Sequence, residues 1–165
     1  MTFDSVLQYV AFPPVTVEKW SPARPKEGTT PTDQVDITDL LKSGATGRAD
    51  LVFFFKWLRE KKNVERILRV MVDDSVSPPH SDEAIEMALR PFGVETLDWS
   101  KPDLDPETII NSSQELRELH LHWNGNNAVL RSWSDPEGLR RLPNLSVIHL
   151  SVDSVSLAHV LLYST

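Results

Sequence analysis

The chain has 165 residues, 40% of them apolar and 25% charged, with a net charge of -7 and no cysteine. That length supports one domain with a real core and is too short for two large ones. The negative balance argues against a nucleic-acid surface, which needs clustered Lys and Arg against phosphates, and the missing thiols exclude disulfides, thiolate metal sites and a cysteine nucleophile.

The start, MTFDSVLQYVAFPP, has no basic segment of the kind that opens a secretory signal. No apolar stretch reaches the roughly 18 residues that span a bilayer, so no membrane partner is expected and the expected location is cytoplasmic. Residues 5–12 read as a short strand stopped by Pro13-Pro14. Residues 17–35 carry Pro22, Pro25, Pro31 and Gly28-Thr29-Thr30 and read as an extended Pro/Thr-rich loop. Residues 36–48 suggest a short helix ended by Gly44. SGATGR has two glycines but no Gly-Lys-Ser/Thr ending, so it is not a phosphate loop.

ADLVFFFKWLREKK, residues 49–62, follows. Asp50 is its expected N-cap, and Leu51, Phe54, Phe55 and Leu58 form one helical stripe. Val52, Phe53 and Trp57 widen the apolar surface beyond one face. Such a helix is either buried deeply against a sheet, the plainer reading, or offers Phe53 and Trp57 to a protein partner. The basic run Arg59-Glu60-Lys61-Lys62 at its end complements the helix dipole.

From residue 66 onward the pattern becomes periodic. Leu116, Leu119 and Leu121 fall as L-x-x-L-x-L, and the spacing returns as Leu145, Ile148 and Leu150, and more loosely as Val94, Leu97 and Trp99. A further run, Ile67–Val72, reads as a strand without the clean spacing. Successive units lie roughly 22 to 29 residues apart, with room for one short helix each. Ser81-Asp82-Glu83 opens one such helix and Asp105-Pro106-Glu107 another. Gly125-Asn126-Asn127 turns into a third around Ala128–Trp133. The tail, 153–165, is apolar enough to pack.

The expected fold is therefore α/β, a single domain over 1–165 with a βα repeat core at 64–152. About four mainly parallel strands in consecutive βα units are expected, leucine-rich-repeat-like or wound as an open parallel sheet, with an extra N-terminal strand and helix.

If the units stack in sequence order, Asp98, His120 and His149 align in one row, about 4.8 Å apart per strand. A carboxylate beside two imidazoles can orient a proton shuttle or hold a metal ion. The plain reading is that alternate positions of an open sheet are polar because they meet water. His120, His122 and His149 are also candidates for partner contact. Asp73-Asp74 ends a strand where an acidic pair could bind a cation, or is simply an acidic loop start. No serine stands in a Gly-x-Ser-x-Gly elbow.

The runs FDSVLQYVAFP, GRADLVFFFKWLREKKNVERILRVMVDD, PPHSDEAIEMALRPFGVETLDW, LDPETI and LRELHLHWNGNNAVLRSWSDPEGLRRLPNL resemble a filamentous-fungal family. In it a region like this one precedes a subtilisin-like serine peptidase domain in longer intracellular proteins. The resemblance covers about residues 3–150. The triad motifs of such peptidases are missing: Asp-Ser occurs at 4–5, 74–75 and 153–154, each time followed by Val, no His is followed by Gly, and Gly28-Thr29 is followed by Thr30. No catalytic residue carries over. The resemblance implies a non-catalytic interaction or regulatory module with an unidentified protein partner and no cofactor. The alternatives are a small hydrolase or metal-dependent enzyme built on Asp98, His120 and His149, and a truncated relative without activity.

Overall fold

The computed structural model describes residues 4–14 and 47–152. Five strands form one sheet in the order β1-β2-β3-β4-β5, and every neighbouring pair is parallel. They are β1 (Val6–Phe12), β2 (Arg66–Val72), β3 (Thr96–Pro102), β4 (Glu118–Trp123) and β5 (Val147–Val152). Between them run α1 (Asp50–Lys62), α2 (Asp82–Leu89), α3 (Pro106–Ser112) and α4 (Asn127–Ser134). The fold is the expected α/β series. Because the strands follow one another in sequence order and such crossovers are right-handed, the helices stack in one layer on one face of the sheet. In that layer α1 contacts α2 and α2 contacts α3.

The L-x-x-L-x-L spacing has a backbone cause. At the start of a new strand, two consecutive N–H groups donate to one carbonyl of the strand before. Ser5 receives Glu65 and Arg66, Glu95 receives Arg117 and Glu118, and Arg117 receives Ser146 and Val147. Two residues facing one is the geometry of a bulge, and the extra residue explains why three positions, not two, separate the first apolar pair. Beyond that point strict alternation resumes.

The spacing extends further than the leucines suggest. Ile67, Val70 and Val72 obey it in β2, and Leu7, Val10 and Phe12 obey it in β1, paired residue for residue with them. The run at 67–72 is thus a regular member, disguised because Leu68 and Met71 are apolar too. The N-terminal strand is likewise the first unit of the series rather than an addition to it. The core-facing row Val70, Leu97 and Leu119 is at most 1% exposed, and Val72, Trp99 and Leu121 at most 3%. At about 1.5–3 kcal/mol per large apolar side chain, such rows supply the main drive for folding.

Two details of α1 differ from expectation. Asp50 is the first helical residue, not the cap; Ala49, whose methyl group cannot accept a hydrogen bond, holds the cap position, and the Asp50 carboxylate is engaged by Arg48 and His80. Leu51, Val52, Phe55 and Leu58 are buried, whereas Phe53, Phe54 and Trp57 are 57%, 36% and 39% exposed. Deep burial of the whole aromatic run therefore does not occur. The Phe54 ring meets Phe12 edge-on at 4.9 Å, at the β1 flank.

The other helix starts follow their sequence signals. The Ser81 hydroxyl accepts from the Ala84 N–H, and Asp105 accepts from the N–H groups of Glu107 and Thr108 with Pro106 next to it. After α2 a 3-10 turn, Arg90–Phe92, runs into Gly93 at φ 57, a left-handed position that favours glycine. The loop at 17–35, the helix read before Gly44 and the tail from 153 lie outside the described residues.

Candidate functional site

The face of the sheet away from the helices carries the polar positions. Two rows cross all five strands: Tyr9, Arg69, Thr96, Glu118 and Val147, then Ala11, Met71, Asp98, His120 and His149. The expected alignment of Asp98, His120 and His149 is thus present, on adjacent strands and on one face. Parallel sheets are usually covered on both faces, so a face over which no helix or strand of the described residues lies is a feature to explain.

Within this patch the closest groupings are not those of the row alone. The His120 and His149 rings stack at 4.3 Å between centroids, 23° apart. Both aim Nε2 at one oxygen of Glu118, at 3.1 Å for His120 and 3.3 Å for His149. The hydrogen bond with His120 is the main reason that the Glu118 carboxyl stays below the usual carboxylate range. Arg69 stands 3.5 Å from the same oxygen. Asp98 turns mainly to His122, whose Nε2 lies 2.9 Å from Oδ1, and its Oδ2 is 3.9 Å from His120 Nδ1. The carboxylate joining the two imidazoles is therefore Glu118. In sequence it is one more polar position of strand β4, and only the pairing of β4 with β5 reveals its role.

Beside this cluster, at the carboxyl ends of the first four strands, lies an open cleft of about 640 Å³. Tyr9, Met71, Asp73, Asp98, Ser100 and His122 line it. The β3–β4 register shifts between Asp98 and Pro102, which places Pro102 rather than Ser100 opposite His122. Asp73 is exposed and its carboxylate accepts from the Ser75 N–H and hydroxyl, which keeps its pKa low.

Its neighbour Asp74 is buried. It is 1% exposed and accepts from the Trp99 indole N–H at 2.9 Å and the His80 backbone N–H at 2.9 Å, with His80 Nδ1 at 2.8 Å. The acidic pair thus divides into a turn former and a buried anchor. On its other side His80 Nε2 lies 3.2 Å from Asp50 Oδ1, in an ionic contact rather than an aligned hydrogen bond. Arg48 clamps Asp50 through Nε and Nη2, both at 2.9 Å. Backbone bonds from Arg48 to Pro79 and from Ser81 to Arg48 close the junction. This chain of charges ties the entry of α1 to the loop after β2 and is structural.

Phe53 and Trp57 lie on α1, in the helix layer, while His120, His122 and His149 lie on the opposite face near the other end of the sheet. The two groups of candidate contact residues form separate surfaces. No family model, curated protein or solved structure matches the chain.

Proposed function

We propose that this chain is a non-catalytic binding module that receives a protein partner on its open sheet face. The observation that supports this reading is the one-sided architecture: among the described residues, helices cover one face of an all-parallel sheet, and the other carries two ordered rows of exposed or half-buried side chains. Stacked repeats use such faces for recognition because adjacent strands hold successive side chains at fixed spacing. Tyr9, Arg69, Met71 and the histidine cluster offer an aromatic ring, a guanidinium, a thioether and imidazoles there, a mixture suited to a polypeptide. The resemblance to regions that precede subtilisin-like peptidases fits the same reading, with the partner a longer relative or that relative's target.

The hydrolase alternative draws less support. The side-chain hydrogen-bond partners of His120 and His122 are carboxylates, Glu118 and Asp98, and not hydroxyl groups that an imidazole would activate. A cross-linking experiment tests the binding reading. A photoreactive residue replaces Met71 on the open face or, as control, Glu83 on the exposed side of α2. In extract of a filamentous fungus, the Met71 variant is expected to yield one discrete adduct that the Glu83 variant does not. Equal labelling from both positions, or none from either, defeats the reading.

A further inference from the structure

We propose that Glu118, His120 and His149 form a binding site for a single divalent transition-metal ion of the zinc class. This goes beyond the binding-module reading and does not depend on it. One ligand atom from each residue lies within 4.8 Å of the other two, all on the open face of β4 and β5. Two imidazole nitrogens and a carboxylate oxygen are the donor set that zinc and its neighbours prefer over magnesium or calcium. Tetrahedral coordination at 2.0–2.1 Å places ligand atoms about 3.3 Å apart. The Glu118 oxygen already stands 3.1 and 3.3 Å from the two Nε2 atoms. An ion requires the two rings, now stacked 23° from parallel, to turn about their side-chain bonds until both Nε2 atoms face it.

The surroundings favour the same assignment. In the metal-free chain His120 Nε2–H donates to Glu118, and a bound ion would displace that proton, leaving the ring proton on Nδ1 with the Asp98 carboxylate 3.9 Å away. With the ion in place of that proton, Nε2 is the ligand atom and Asp98 stands on the Nδ1 side, as in carboxylate–histidine–metal triads. The opposing group is Arg69, whose guanidinium is 3.5 Å from Glu118 and must swing aside; at 45% side-chain exposure it has the room. The His149 side chain is half exposed, so the fourth coordination position opens to water or to a partner's side chain.

The test uses the full, tag-free chain after chelation and dialysis. Calorimetric titration with Zn2+ is expected to give one ion per chain. Co2+ in its place is expected to show the visible bands of tetrahedral coordination. His149→Asn and Glu118→Gln are each expected to weaken Zn2+ binding by at least about tenfold, while His122→Asn changes it by less than about threefold. Tryptophan fluorescence, to which the buried Trp99 and Trp133 contribute, checks that each variant is folded, and His149 on the exposed edge is the substitution least able to disturb the fold. The site is overturned if the wild-type chain binds no Zn2+. It is also overturned if folded His149→Asn and Glu118→Gln proteins bind as well as wild type, or if His122→Asn loses as much as they do.

Discussion

Burial alone lowers the pKa of a histidine, yet His80 titrates above its usual 6.5 because Asp50 and Asp74 face its two ring nitrogens. The carboxylates move the other way. Burial opposes ionisation of Asp74, but donation from His80 and Trp99 outweighs it, and Asp50 is held low chiefly by His80. A folded pKa above the unfolded one means that protonation favours the native state. His80 thus contributes fully below about pH 6.5, and its contribution is lost as pH rises through the folded value. The two aspartates contribute above their usual 3.8 and lose that contribution as pH falls. The clasp is strongest between these limits. Replacing His80 by Gln leaves a buried carboxylate without its cation and is expected to cost about 3–5 kcal/mol at pH 6. In urea unfolding, the gap between wild type and variant should narrow steadily above neutrality; a gap that is constant to pH 9 would show that native His80 is neutral. None of this was legible in the sequence. Asp74 reads as half of an acidic loop start, His80 follows two prolines, and only the return of Arg48 beside His80 assembles the charges. The histidine row, in contrast, was legible, because equal spacing in each unit fixes which residues align. Glu118 was missed within it, since a carboxylate two positions before His120 shows no connection to His149 until β4 and β5 are paired.

At the scale of elements, the same apolar motif has very different energetic weight from strand to strand. Ile148 pairs with Leu119, and Leu150 with Leu121, on the core-facing side of the sheet. Yet Leu119 and Leu121 are 1% and 3% exposed, and Ile148 and Leu150 are 50% and 48% exposed. Strand β4 has the helix layer over it; among the described residues no helix follows β5. Leu119→Ala should therefore lower unfolding stability by about 2–5 kcal/mol, and Ile148→Ala by less than about 1 kcal/mol. Denaturant midpoints compare the two directly, and equal losses would mean that β5 is as well covered as β4. Periodicity gave no hint of this difference, because spacing reports which face a residue occupies and not what lies over that face. It did reveal β3, β4 and β5, and showed β2 as a strand without the motif, because Leu68 and Met71 fill alternate positions with apolar groups. For the aromatic run of α1, deep burial, the plainer of two readings, fails for a related reason. Seven apolar residues on one helix exceed what one sheet flank can cover, and Phe53, Phe54 and Trp57 are left outside.

At the scale of the molecule, the open parallel sheet has two free edges among the described residues, β1 and β5. Unpaired backbone groups at an edge invite another strand, and chains usually defend them with charge, proline or a bulge. Strand β5, VIHLSV, has no charged residue apart from a titratable histidine, no proline and six exposed side chains. Among the described residues, its free edge can pair in parallel with the free edge of β1 of another copy, which would extend the array in the same sense from copy to copy. Such a head-to-tail contact does not close on itself. What opposes it is the net charge of -7 on each chain, a repulsion that salt screens over about 8–10 Å at physiological strength. Self-association is therefore expected to rise with protein concentration and with added salt, measured by light scattering. Ile148→Lys should suppress it, because a charge then stands on the edge strand at a position whose burial contributes little to the fold. If scattering falls as salt rises, electrostatic attraction rather than strand pairing drives the contact; if Ile148→Lys associates as readily as wild type, the β5 edge is not the surface involved.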